Sequence, residues 1–148
     1  MPFYKFEDIL EKEGELFFTN VGFSMYPLIK EREDILHIKR SDTYRRGDII
    51  LYKTNNGKYV LHRILRIKGN NIITAGDYNY FKDSPVSKES VLGTLVSIKK
   101  KDGEIIYLDK DKRGRRFFYT NFFFIKSFIQ RIMIVLHRKK IKWKIKRR

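Results

Sequence analysis

The chain has 148 residues, 42% of them hydrophobic: one-domain length, with enough apolar side chain to bury a core. It has no cysteine, so disulfides and thiolate metal sites are excluded, and its three histidines (His37, His62 and His137) lack the spacing of a zinc site, so neither a metal nor a cofactor is expected. The net charge of +16 is lopsided, since residues 110–148 hold 15 Lys and Arg against one acid, Asp111, while the first 109 residues hold 18 basic and 16 acidic side chains.

Phe3, Phe6, Ile9 and Leu10 fall at helical spacing, with Glu7, Asp8, Glu11 and Glu13 on the other face before Gly14. That predicts a short amphipathic helix over residues 1–14, too acidic for a signal peptide, and no membrane anchor is expected at this end. Residues 15–109 change to short apolar runs. They predict strands near 16–21, 35–39, 48–53, 58–67, 71–75, 91–99 and 104–108, with turns marked by Asn55-Asn56-Gly57, Lys68-Gly69-Asn70-Asn71 and Lys101-Asp102-Gly103. Strands of this length and spacing suggest a mainly β domain, a compact barrel or sandwich.

Residues 110–148 form a third section. Basic residues lead into 117–136, where 14 of 20 side chains are apolar, and a basic tail follows. As a helix, this run gathers Lys126, Ser127, Gln130 and Arg131 on one side and Ile125, Phe128, Ile129 and Ile132 on the other. An aromatic face with basic flanks suits a helix lying in an anionic membrane surface. A spanning helix would place Lys126 and Arg131 near the bilayer centre at a cost of roughly 2.5–3.5 kcal/mol each. Packing of the helix against the β domain is the remaining alternative.

Candidate chemistry is ordered along the middle section. Ser24 stands in Gly22-Phe23-Ser24-Met25-Tyr26-Pro27, and a serine hydroxyl needs a base to act as a nucleophile. His62, in Leu61-His62-Arg63, has the pKa range to take that proton and return it to a leaving amine. Lys58, four residues earlier on the expected strand, shares its face and is a minor rival base. Asp77, in Gly76-Asp77-Tyr78-Asn79, and Asp83 are the acids available to hold the imidazole, with Asp83 preferred and Asp77 second. Arg46-Gly47-Asp48 is read as a structural corner.

In this order, from about residue 21 to residue 98, these segments resemble the type I signal peptidases, in particular their Ser-His subgroup of the endoplasmic reticulum, archaea and some Gram-positive bacteria. More distantly they are similar to the LexA-like serine peptidases. Ser24-Met25 with Pro27, Arg46-Gly47-Asp48, His62, Gly76-Asp77 with Asn79 and Asp83, and Gly93 match the family's boxes; Tyr78 stands where the subgroup usually has Asn. The resemblance implies a signal-peptidase-like catalytic β domain, with Met25 tucked beneath the Ser24 hydroxyl at the edge of a cleft. His62 stands where the bacterial enzymes have lysine. Most members carry an N-terminal transmembrane anchor, and the short acidic helix departs from that pattern.

The expected activity is therefore serine endopeptidase cleavage of an extended signal or leader segment. The protein would associate with an anionic membrane surface through residues 110–148, more readily on the cytoplasmic face, with the opposite orientation as the alternative. A rival reading is a non-catalytic basic module binding membrane or nucleic acid. Nucleic acid is disfavoured, because residues 1–13 leave no room for a helix-turn-helix and the aromatic run suits lipid better than a duplex groove.

Overall fold

The computed structural model describes residues 5–108, together with Ile125, Lys126, Phe128 and Ile132, which are helical. The predicted C-terminal amphipathic helix otherwise lies outside the described residues. The chain opens with α1 (Phe6–Glu13), whose start is held by the Asp8 carboxylate accepting the Lys5 backbone N–H at 3.4 Å. Leu10 drives the helix onto the sheet and is 2% exposed, with Phe6 and Ile9 packed beside it.

Among the described residues eight strands follow: β1 (Glu15–Phe18), β2 (Ile35–Lys39), β3 (Ile49–Lys53), β4 (Tyr59–Lys68), β5 (Asn71–Ala75), β6 (Val86–Ser87), β7 (Val91–Lys99) and β8 (Ile105–Tyr107). They form one antiparallel sheet in the order β1-β2-β7-β3-β4-β5-β6, with β8 added to β7. The molecule is mainly β, a curled half-barrel with one short N-terminal helix.

Alternation along the strands builds two apolar layers. Ile49, Leu51 and Leu61 join Leu10, Leu36, Ile38, Leu95 and Ile98 in the larger one. Ile50, Tyr52, Ile64, Ile72 and Val86 form the second. Residues 49–52 of β3 are buried on both faces, which is why that segment reads as a continuous apolar run.

Several strand boundaries differ from expectation by one to three residues, and one strand is additional. The first strand ends at Phe18, because the Asn20 carbonyl turns away to accept the Arg32 N–H at 3.1 Å. β4 begins at Tyr59, one residue late, because Lys58 closes the turn. Its N–H goes to Thr54 Oγ1 at 3.1 Å and its carbonyl to the Thr54 N–H at 2.8 Å. The two-residue β6 was not anticipated and exists through its pairing with Asn71 and Ile72.

Candidate active site

β4 presents neighbouring residues to opposite faces of the sheet. His62 lies opposite Ile50 of β3, and β5 joins β4 only from Arg63, opposite Ala75. By alternation, His62 shares its face with Tyr52 on β3 and Thr74 on β5. Asp83 reaches that face from the loop after β5, which the Asp83 N–H ties to the Thr74 carbonyl at 2.9 Å.

One oxygen of Asp83 collects three hydrogen bonds. His62 Nδ1 lies 2.6 Å from Oδ2, the Thr74 hydroxyl donates to it at 2.7 Å and the Tyr52 hydroxyl at 3.3 Å. Burial pushes the Asp83 carboxyl up, but the His62 hydrogen bond and charge, helped by the two hydroxyls, outweigh it and hold the group below the ordinary aspartate value. Tyr52 moves the opposite way: burial, reinforced by the neighbouring Asp83 charge, pushes its phenol up to about 12. It therefore stays a hydrogen-bond donor.

The second candidate acid, Asp77, sits elsewhere. It forms a two-pronged pair with Arg63, Nε to Oδ1 at 2.7 Å and Nη2 to Oδ2 at 2.8 Å, with both side chains 5% exposed. Arg63 Nη1 also donates to the Gly47 carbonyl at 2.8 Å. Asp77 thus fastens the Gly76-Asp77 turn to the Arg46-Gly47-Asp48 corner rather than holding His62. That corner closes as expected: Asp48 Oδ2 accepts the Arg45 N–H at 2.8 Å, while Gly47 N–H and Asp48 carbonyl exchange bonds with Ile64 at 2.8 Å each. Lys58, the rival base, is exposed in the turn before β4.

Ser24 is half-buried in the loop between β1 and β2. Beneath it Met25 is 1% exposed, its carbonyl accepting the Ile29 N–H at 3.0 Å, and the Tyr26-Pro27 peptide is cis. The far end of the loop is pinned by Asp34, itself 1% exposed, which accepts Lys100 Nζ and the Lys30 N–H at 2.7 Å each. Gly22 precedes the serine with φ of 109°, so its conformation requires glycine although nothing crowds it.

The loop carrying Ser24 and the loop carrying Asp77 and Asp83 touch directly. The Tyr78 N–H donates to the Ser24 carbonyl at 2.8 Å, and Tyr26 and Tyr78 meet edge to face at 5.9 Å. A side chain at Gly76 would overlap the Ser24 carbonyl oxygen and lie 2.9 Å from Ser24 Cβ. Lys126 rests on the outside of the acid loop. Its ammonium donates to the Tyr78 carbonyl at 2.7 Å and lies 4.2 Å from the Tyr80 ring, and burial pulls its pKa down against the attraction of Asp77.

Ser24 and His62 line one cavity of about 390 Å³, walled by Phe6, Phe18, Val21 and Tyr59. His62 also borders a second, more polar cavity of about 570 Å³, shared with Asp83 and rimmed by Asn55, Asn71, Ser84 and Ser87. His62 therefore stands between two recesses, one lined also by Ser24 and the other by Asp83.

Sequence reasoning missed Tyr52, Thr74, Arg63 and the wall formed by Phe6. Tyr52 and Thr74 carry a weak signal in hindsight, as polar groups inside otherwise apolar strands. Arg63 carries another, as a charged residue beside His62 in an apolar run. Comparison with protein-family models and with curated proteins finds no match for this chain.

Proposed function

We propose that this protein is a serine endopeptidase of the signal-peptidase type, with a signal-peptidase-like half-barrel as its catalytic domain. The observation that carries the reading is the 2.6 Å contact of His62 Nδ1 with Asp83, made by an imidazole that lines the same cavity as Ser24. With Asp83 accepting the Nδ1 proton, the lone pair is left on Nε2, the tautomer a general base needs.

In this mechanism His62 takes the Ser24 proton as Oγ bonds to the scissile carbonyl carbon. The tetrahedral oxyanion is received by backbone N–H groups, including that of Ser24, which meets no acceptor among the described residues. Collapse breaks the C–N bond, and His62 returns the proton to the leaving amine. Water, activated by the same imidazole, then hydrolyses the acyl-enzyme. No cofactor takes part.

The substrate class that suits this geometry is an extended leader or signal peptide. Its backbone would bond to the Tyr59–His62 edge of β4, which has no strand on the β5 side among the described residues. We place the reaction at an anionic membrane surface, most simply the cytoplasmic face. Ile125, Phe128 and Ile132 are exposed at spacings of three and four on a basic segment, while Lys126 turns back to the acid loop. Among the described residues no helix is long and apolar enough to cross a membrane.

The test is cleavage of a leader-peptide library by the purified chain with anionic vesicles. Ser24→Ala and His62→Ala should each lower kcat by on the order of 10³–10⁶-fold without loss of fold. Equal cleavage by wild type and both variants would sink the catalytic reading.

A further inference from the structure

The two cavities belong to opposite faces of β4. Leu51 and Leu61 stand directly across from each other on β3 and β4, and both line the first cavity. Tyr52 and Val60 are the neighbouring pair, on the other face by alternation, and both line the second. Val60 and His62 border both cavities, at the Tyr59–His62 edge where β4 carries no strand on the β5 side among the described residues.

The two linings differ in kind. Phe6, Phe18, Val21, Met25 and Leu51 make the first largely apolar. The second offers Asn55, Asn71, Ser84, Ser87 and Ser90. Asp83 and Lys53 also line it, and both charges are engaged, Asp83 with His62 and the Lys53 ammonium with Glu7. What this leaves to a guest is a set of amides and hydroxyls, which can both donate and accept hydrogen bonds.

A peptide bonded to the free edge of β4 continues the sheet, so its side chains alternate between the two faces. Those on the Leu61 face fall toward the first cavity, and those on the face of Val60 and His62 fall toward the second. An apolar side chain in the second would displace water from amides and hydroxyls and give them no partner in return. Asn, Gln, Ser or Thr would replace those bonds.

We propose that the second cavity is a substrate subsite for uncharged polar side chains, filled by every other residue of the extended peptide along the β4 edge. This inference rests on the proteolytic reading above for its occupant, and binding is measured apart from cleavage.

The experiment titrates the full chain carrying Ser24→Ala with three fluorescent peptides, each of six residues between terminal lysines. One alternates asparagine and valine, the second has the same composition as a block of asparagines followed by a block of valines, and the third alternates leucine and valine. Strict alternation makes the comparison independent of binding register. The alternating Asn–Val peptide should bind at least about fivefold more tightly than either of the others, although leucine brings more apolar surface. Making the second cavity apolar with Asn71→Leu and Ser90→Val together should reverse the order of the Asn–Val and Leu–Val peptides. Should that double variant fail to fold, as read by thermal melting, Ser90→Ala should narrow the ratio and decides alone. Equal binding of the alternating and block peptides, an Asn–Val to Leu–Val ratio unchanged in the folded variants, or binding of no peptide by any chain overturns the inference. Cleavage of the same peptides by the Ser24 chain reports on the other claim. Cleavage without the polar preference leaves proteolysis standing and removes the subsite, while a cavity-dependent preference in binding without cleavage does the reverse.

Discussion

The two faces of β4 at His62 and Arg63 put the same kind of pair to opposite uses. Each residue meets an aspartate from the loop after β5, and each contact is short, at 2.6 and 2.7 Å. Arg63 and Asp77 are sealed, both side chains 5% exposed, with the spare guanidinium nitrogen on the Gly47 carbonyl. His62 and Asp83 are 9% and 24% exposed, and each opens onto a cavity. A pair all but sealed from solvent serves as a fastening; a pair facing a recess can exchange protons with what enters. Strand alternation alone assigns the two roles to adjacent residues.

The sharpest way to break this comparison is to neutralise each acid in turn. Asp83→Asn should lower kcat by on the order of 10³–10⁴-fold while the chain still folds, since the amide fills the same space but no longer stabilises the imidazolium. Asp77→Ala should instead cost about 3–5 kcal/mol of stability in urea unfolding, because the buried Arg63 charge is left without its partner. Loss of activity in Asp77→Ala with unchanged stability would mean that the roles are reversed.

Acid sharpens the same contrast. The Asp83 carboxyl is held below its ordinary value in the folded state. Its contribution to stability is therefore complete above the unfolded aspartate pKa of about 3.9 and disappears as pH falls through the lower folded value. Unfolding free energy measured between about pH 5 and pH 2 should fall less steeply in Asp83→Asn than in wild type. The smallest effect belongs to Tyr52→Phe, which removes one long bond to Asp83. It should cost about 0.5–1.5 kcal/mol of stability, and no more than about tenfold in kcat, read from the same two assays.

Much of the fold was legible in the sequence because the strands obey their own periodicity. The expected spans 35–39, 71–75 and 91–99 coincide with β2, β5 and β7, and Gly14 ends the helix as read. What local pattern could not supply was register. Nothing near Tyr52 or Thr74 in sequence points to Asp83; only the pairing of Tyr52 with Val60 and of Thr74 with Ile64 sets both beside His62. The choice between Asp77 and Asp83 was open for the same reason, since both lie in one loop and the face each reaches is fixed by β4. Phe6 read as the apolar side of an amphipathic helix, which it is. That its ring also walls a cavity depends on where α1 docks.

The segment from Gly76 to Asp83 is tethered at both ends and in between, to Ser24 through the Tyr78 N–H, to Arg63 through Asp77 and to His62 through Asp83. Such a segment has no slack for added length. A short reporter tag inserted between Tyr80 and Phe81 should pull at least one tether loose and abolish cleavage, whereas the same tag between Asp102 and Gly103, in the exposed turn before β8, should leave the cleavage rate at the wild-type level. For labelling or tethering this protein, the turn at residues 101–103 is the place to cut into the chain.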